Sequence, residues 1–220
     1  MPRALTEKEV VDEKARICRE AEKLFAKHGV TGVTMRELAV ALGLSPMTPY
    51  RYFEDRDAIL AAVRASAFSR FASRLERAFQ GGASPLRRTT AMGKAYLGFA
   101  LKEPDAYRLI FDLTQPDESK YPELVKQSQR ARSILARQVD DLIEAALVPR
   151  QPQQVGYALW SVSHGICVLH LAGKYPNVKE CRQAFAATMK WLFQGFESQL
   201  RREGRTTPRR KGSLHAITQA

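Results

Sequence analysis

The chain has 220 residues, enough for one large domain or two small ones. Hydrophobic residues make up 45% and charged residues 26% of it, which excludes a chain that is disordered throughout. Thirty-five Lys and Arg residues against 23 Asp and Glu residues leave a net charge of +12, and such an excess indicates an anionic partner, either nucleic acid or a membrane surface.

Cysteine usage and hydropathy bear on the compartment. Cys18, Cys167 and Cys181 are odd in number and form no C-x-x-C pair, so they predict neither a disulfide framework nor a zinc finger and favour the reducing cytoplasm. The N-terminus is charged from its third residue on, unlike a signal peptide. The uncharged stretch at residues 151–173 contains three Gln, two Ser and two His, and we interpret it as a buried helix rather than a membrane span.

The first helix is marked at both ends. Apolar residues recur with helical spacing along nearly the whole chain and no strand run is convincing, so the sequence predicts an all-α fold. Thr6 and Glu9 form a capping box that begins the first helix, and Gly29 ends it.

Residues 34–53, TMRELAVALGLSPMTPYRYF, have the layout of a helix-turn-helix. A second T-x-x-E capping box begins a short helix at Thr34. Gly43 ends that helix where a left-handed residue is favoured, and Ser45 and Pro46 are suited to begin the next helix as its cap and first residue. In such a motif the second helix enters the major groove of DNA.

The longer stretch LFAKHGVTGVTMRELAVALGLSPMTPYRYFEDRDAIL resembles the DNA-binding domain of the TetR family of transcriptional regulators. The resemblance covers roughly residues 8–64 and includes Thr34, the Gly43-Leu44-Ser45 turn, Tyr50 and the Tyr52-Phe53 pair. It implies a homodimeric, sequence-specific regulator, a repressor that a small molecule releases from a pseudo-palindromic operator in double-stranded DNA.

The resemblance also implies DNA contacts for individual residues. Thr34 matches a helix cap whose amide and hydroxyl meet a phosphate, and Arg56 matches a phosphate-binding residue at the start of the following helix. The DNA-binding residues implied in this way are Thr34, Arg36, Ser45, Pro46, Met47, Thr48, Tyr50, Arg51 and Arg56.

Two departures from the family pattern concern the recognition helix. The family commonly has Lys-Gly at the positions of Pro46 and Met47, so polar base readout is lost there, although Met47 can contact a thymine methyl group. Pro49 stands where Leu is common, and a proline deep inside a helix costs about 3 kcal/mol. The recognition helix therefore either starts late, with Thr48 as cap and Pro49 as first residue, or is irregular.

The domain boundary is expected where the sequence QGGASP breaks the helix that follows the helix-turn-helix. We predict a helix-turn-helix domain at residues 1–64, whose last helix continues to about residue 80 as a link. A larger helical domain for ligand binding and dimerisation is predicted at residues 85–200. The basic tail at residues 201–220 has six basic residues against one acidic residue and no apolar period, and it is expected to be disordered.

The second domain is rich in aromatic and sulfur-containing residues, which suit either a packed core or an apolar ligand cavity with a few polar groups. Residues 103–111 and the segment WSVSHG at residues 160–165 resemble the C-terminal domain of one branch of the family, named for its Trp-His-Gly (WHG) sequence. An unknown, apolar effector is expected there. The candidate ligand-binding residues are Met92, Tyr96, Phe99, Tyr107, Phe111, Trp160, His164 and Cys167.

The last two helices are apolar on more than one face and therefore need a second partner, which another copy of the chain can supply. The candidate dimer-interface residues are Val155, Leu159, Val162, Ile166, Leu169, Phe185, Met189, Leu192 and Phe196.

Alternatives remain open for the second domain. It can serve only for dimerisation or for docking a protein partner, without an effector. An enzyme with His164 and Cys167 as a nucleophile pair is disfavoured because adjacent turns of one helix rarely give that geometry, so we predict no catalytic activity. A zinc site at His164, Cys167 and His170 lacks a fourth ligand, and no metal or cofactor is predicted. Binding of the tail to a membrane surface is the remaining alternative, and no membrane partner is expected.

Overall fold

The computed structural model describes residues 6–111 and 117–204. Within these residues every regular element is helical, which confirms the predicted all-α fold. Two short 3-10 helices lie at Pro49–Arg51 and Glu118–Lys120. The α-helices are α1 (Glu7–His28), α2 (Met35–Ala41), α3 (Arg56–Gln80), α4 (Pro85–Lys102), α5 (Pro104–Phe111), α6 (Pro122–Glu144), α7 (Pro152–Leu171) and α8 (Val178–Arg202). Most of the predicted basic tail, from residue 205 on, lies outside the described residues.

The chain divides into two compact units that do not follow its linear order. Unit 1 contains residues 1–70 and 105–129, and unit 2 contains residues 71–104 and 130–220. The segment after Pro104 thus groups with the N-terminal helices, whereas the sequence assigned it to the second domain. Helices α3 and α6 each contribute residues to both units.

The predicted ends of α1 are confirmed. The Thr6 hydroxyl accepts a hydrogen bond from the Glu9 amide at 3.3 Å, and the Glu9 carboxylate accepts one from the Thr6 amide at 2.8 Å. Gly29 follows the helix with φ at +77°, a conformation that side chains with a Cβ rarely adopt. These local signals fix the first element of unit 1.

The core of unit 1 holds the helix-turn-helix against α1 and α3. Tyr52 and Phe53 pack against this core just before α3 begins. They therefore hold the C-terminal side of the segment predicted to enter the DNA groove, residues 45–51, which is called the recognition segment below. The buried residues of the core are Ile17, Ala21, Phe25, Val30, Val33, Met35, Leu38, Ile59, Leu60, Val63 and Leu109.

An ion pair between a buried arginine and a partly exposed glutamate joins α3 to the 3-10 helix at Glu118–Lys120 within unit 1. Arg64 has 1% of its side chain exposed, and its Nη2 donates to Glu118. Its Nε and Nη1 have no hydrogen-bond partner among the described residues. Because a buried guanidinium stays charged, this pair makes Arg64 dependent on its single carboxylate partner.

In unit 2, α7 packs against both α4 and α8. Gly93 of α4 lies close to the ring of Phe185 in α8, and a Cβ at position 93 would be 3.0 Å from that ring. The Arg88 guanidinium donates to Asp141 at 2.8 Å and ties α4 to α6. The absence of a side chain at Gly93 therefore permits the close approach of α4 and α8.

Candidate nucleic-acid interface

The segment predicted as the recognition helix is short and irregular. A turn occupies residues 46–48, and a 3-10 helix follows at Pro49–Arg51 with Thr48 as its cap and Pro49 as its first residue. The prediction that Ser45 and Pro46 begin the helix is therefore wrong. The structure shows both remaining alternatives: the helix starts late, and it is irregular, with three residues in a 3-10 conformation. The reason is local: the Ser45 hydroxyl bonds to the Thr48 hydroxyl at 2.8 Å instead of capping a helix.

Pro49 anchors this segment. The proline is buried, and its carbonyl accepts hydrogen bonds from the amides of both Tyr52 and Phe53 at 3.0 Å. Since proline also has a fixed φ, the backbone around it is restrained. The residue that sequence comparison singled out as anomalous thus serves as the support of the recognition segment.

Most of the other predicted DNA-binding residues in this region point to solvent. Met47 is 69% exposed and Tyr50 is 49% exposed. Arg51 in the same segment and Arg36 in α2 are exposed as well. The exposed side chains of this segment and of α2 therefore include both apolar groups and arginines, which are suited to bases and phosphates respectively.

Thr34 caps α2 as predicted, but its donors are engaged. Its amide donates to the Glu37 carboxylate at 2.8 Å and its hydroxyl donates to the same oxygen at 2.9 Å. These two bonds hold the pKa of Glu37 below its usual value, because both stabilise the charged carboxylate. A phosphate at this helix end must share the Thr34 donors with Glu37 or use other amides of the first turn.

Arg56 is also engaged within the chain. Its Nη2 and Nε donate to one oxygen of Asp57 at 2.7 and 3.1 Å. The neighbouring Asp55 caps α3 by accepting a hydrogen bond from the Ala58 amide at 2.7 Å. The predicted phosphate contact of Arg56 therefore has a carboxylate competitor at its side.

The predicted ligand-binding residues do not form one set. Tyr107 and Phe111 belong to unit 1, where their rings lie 4.8 Å apart. The other six belong to unit 2. Within it, the Trp160 indole donates to the Tyr96 hydroxyl at 3.2 Å, and the ring of His164 lies 5.9 Å from that of Trp160.

The unit 2 members are largely packed. Met92, Tyr96, Phe99 and Cys167 are buried, and Phe71 packs against the rings of both Tyr96 and Phe99 at 5.1 Å. Half-burial lowers the pKa of His164, which favours its neutral form. These contacts describe an aromatic cluster with a few polar atoms at its edge.

A groove that the sequence did not reveal runs along α3 in unit 1. Its volume is about 570 Å³, and none of the predicted ligand-binding residues lines it. Small residues at helical spacing form one wall, which is the signal that could have indicated it. The lining residues are Ala58, Ala61, Ala62, Ala65, Ser66, Ser69, Arg70, Lys120, Tyr121, Pro122, Glu123, Leu124 and Gln127.

The predicted dimer-interface residues divide by exposure. Val155, Leu159, Ile166, Phe185 and Met189 are buried within the single chain, so they have little surface to offer a partner. Val162, Leu192 and Phe196 are half-buried, and Leu169 is exposed. The exposed apolar residues of α7 and α8 are Tyr157, Trp160, Val168, Leu169, Val178 and Trp191.

Two family models match two separate segments of the chain. Residues 17–63 match the family described as bacterial regulatory proteins, tetR family. Residues 89–192 match the tetracyclin repressor-like C-terminal domain. The description of the second match does not test the finer resemblance to the WHG branch, which stays a prediction. A search of curated proteins finds no significant match.

Solved structures show the same fold. A protein with unknown function from Rhodococcus sp. RHA1 is 25% identical, with a TM-score of 0.70 over 83% of this chain and 94% of that one. A TetR family transcription regulator from Marinobacter aquaeolei VT8 is 18% identical, with a TM-score of 0.68 over 83% and 96%. A TetR-family transcriptional regulator from Pectobacterium atrosepticum is 21% identical, with a TM-score of 0.64 over 87% and 97%.

The helices of residues 6–111 and 117–204 include none that is both long and apolar enough to span a membrane. The stretch at residues 151–173 contains all of α7, so the predicted helix is confirmed. The helix is only partly buried, because Tyr157, Trp160, Val168 and Leu169 are exposed.

Proposed function

The chain belongs to the TetR family of transcriptional regulators, and we propose that it is a homodimeric repressor that a small molecule releases from a pseudo-palindromic operator. The observation that carries this proposal is the exposed surface around the 3-10 helix at Pro49–Arg51, supported by a buried proline and flanked by capped α2. Each subunit presents this segment to the major groove of one half-site.

Phosphate contacts are assigned to the flanking groups. Arg51 in the recognition segment and Arg36 in α2 are exposed cations, and the backbone amides of the first turn of α2 point toward its N-terminus. Arg56 contributes if a phosphate replaces Asp57 as its partner. Such contacts position the protein on DNA, whereas Met47 and Tyr50 face the bases.

The dimer is proposed to form through the exposed apolar surface of α7 and α8 rather than through their buried faces. Trp191 is 65% exposed and Tyr157 is 57% exposed, and a second copy that covers them removes this surface from water. Of the residues predicted for the dimer interface, Leu169 is the one that belongs to this exposed apolar surface. Two-fold pairing also matches the two half-sites of a palindrome.

An effector is proposed to act on unit 2 near Trp160 and His164, at the edge of the aromatic cluster. A coupling free energy of about 1–3 kcal/mol between effector and operator is typical of such regulators. The effector must bind the two conformations with different affinity, because equal affinity shifts no population. The resemblance of the WSVSHG segment to the WHG branch supports this location.

A second candidate is a DNA-binding dimer without an effector. The burial of Met92, Tyr96, Phe99 and Cys167 favours it, since side chains already packed against one another leave no room for a ligand. The two candidates differ in one result. When apolar acids, amines and neutral aromatic molecules are tested one by one for release of labelled operator, the first predicts at least one active compound and the second predicts none.

DNA recognition itself is tested by selection from random duplex DNA at fixed salt, because phosphate binding depends on salt concentration. We expect enrichment of a pseudo-palindrome and loss of its binding in Tyr50→Ala. Val11→Ala, an exposed apolar truncation in α1, is the control and should bind as the unchanged protein does. Recovery of DNA without an enriched sequence would show that the protein binds DNA only through its positive charge, and it would contradict the proposed function.

A further inference from the structure

The recognition segment has few free polar groups for base readout. The hydroxyls of Ser45 and Thr48 bond to each other, and neither Pro46 nor Pro49 has a side-chain donor or acceptor. Direct readout by bidentate hydrogen bonds requires Arg, Lys, Asn or Gln side chains, and Arg51 is the one such residue between 45 and 51. Beside Arg51 and the Tyr50 hydroxyl, apolar contact is therefore a means of discrimination open to this segment.

Met47 is the residue placed to make that contact. Its side chain is 69% exposed, the largest exposed apolar group of the segment. It lies between two prolines, whose fixed φ angles limit the motion of the turn that carries it. Its thioether side chain is flexible and polarizable, so it can adapt to the surface of a base.

The major groove presents a single apolar group that differs between bases, the C5-methyl of thymine. We propose that Met47 determines operator specificity by packing on the C5-methyl group of one thymine in each half-site. This inference rests on the proposed operator binding and deepens it, because it names the base, the groove and the atom that are recognised.

Replacement of single thymines by deoxyuridine in the selected operator tests the proposal. This change removes only the methyl group and leaves base pairing intact. For the full-length protein we expect one position in each half-site at which deoxyuridine weakens binding about fourfold, the effect of losing one buried methyl group. Substitution at both half-sites together should weaken binding about fifteenfold.

Variants identify the side chain responsible. In Met47→Ala the deoxyuridine effect at that position should vanish, because the contact is already absent. In Met47→Leu, which keeps an apolar side chain of similar size, and in the control Val11→Ala the effect should persist. This pattern across four proteins assigns the contact to residue 47 rather than to a general loss of affinity.

Two results would overturn the inference: specific binding without a deoxyuridine-sensitive position, or a sensitivity that Met47→Ala leaves unchanged. In both, the operator is still bound specifically and the proposed function stands. If no operator is enriched at all, the proposed function itself fails. The two failures are thus distinguishable.

Discussion

The two capping boxes offer a matched pair of perturbations, Thr34→Ala and Thr6→Ala. Each threonine caps a helix through the same three hydrogen bonds with a glutamate three residues later. The distances are 2.8, 2.9 and 3.2 Å at Thr34 and 2.8, 2.9 and 3.3 Å at Thr6. The two sites differ in place: Thr34 begins the first helix of the helix-turn-helix, whereas Thr6 begins α1.

Equal cap geometry predicts equal losses of stability. Removal of an N-cap side chain costs about 1 kcal/mol, which corresponds to about 2–4 °C in melting temperature for a chain of this size. Operator affinity should fall only in Thr34→Ala, because only that cap positions amides toward a phosphate. A loss of about 0.7 kcal/mol in each subunit amounts to about tenfold for a dimer on two half-sites.

Urea unfolding and operator titration on the same preparations measure both effects, and Thr34→Ser and Thr6→Ser should restore stability. If Thr34→Ala unfolds like the unchanged protein, the capping argument is wrong. If Thr6→Ala weakens operator binding as much as Thr34→Ala does, the reduction reflects stability alone, and Thr34 has no role at the DNA.

Three further predictions concern packing, ionisation and buried charge. Glu118→Ala strands the buried guanidinium and should lower the free energy of unfolding by about 3 kcal/mol, whereas Arg64→Met should lower it by about 1 kcal/mol or less; equal costs in urea unfolding would contradict this. Gly98→Ala adds a Cβ in open space and should raise the free energy of unfolding by about 0.5–1 kcal/mol. A Cβ at Gly93 meets a ring of α8, so the free energy of unfolding of Gly93→Ala should lie at least about 1 kcal/mol below that of Gly98→Ala. The reverse order of the two melting temperatures would refute the packing. Burial raises the pKa of Cys18 to about 11, so its thiol should react with iodoacetamide at pH 8 on the order of a hundredfold more slowly than a free cysteine, and rapid labelling would count against that burial.

Features that depend on neighbouring residues could be predicted from the sequence. The capping boxes at Thr6 and Thr34 and the left-handed glycines after α1 and α2 each involve residues a few positions apart. The late start at Pro49 could be foreseen as one of two outcomes, because the missing amide limits where a helix can begin. The structure combines both outcomes, because the helix starts late and is a 3-10 helix of three residues.

Features that depend on distant packing could not be predicted in the same way. An apolar stripe indicates that a helix face is covered but not by what, and the stripe with Val155, Leu159 and Ile166 is covered inside the chain. The grouping of Tyr107 with the N-terminal helices likewise requires knowledge of how the chain returns after α4. The groove along α3 forms because residues 120–127 lie close to the alanines of α3 that line it. These two parts of its lining are more than fifty positions apart in the sequence.

The spacing between the two operator half-sites gives the most direct measurement of whether a dimer reads them with two recognition segments. Insertion of five base pairs moves one half-site to the opposite face of the duplex, and insertion of ten returns it to the original face. We predict that the five-pair insertion weakens binding at least about a hundredfold and that the ten-pair insertion restores part of it. Equal affinity for all three duplexes would contradict recognition of a palindrome by a dimer.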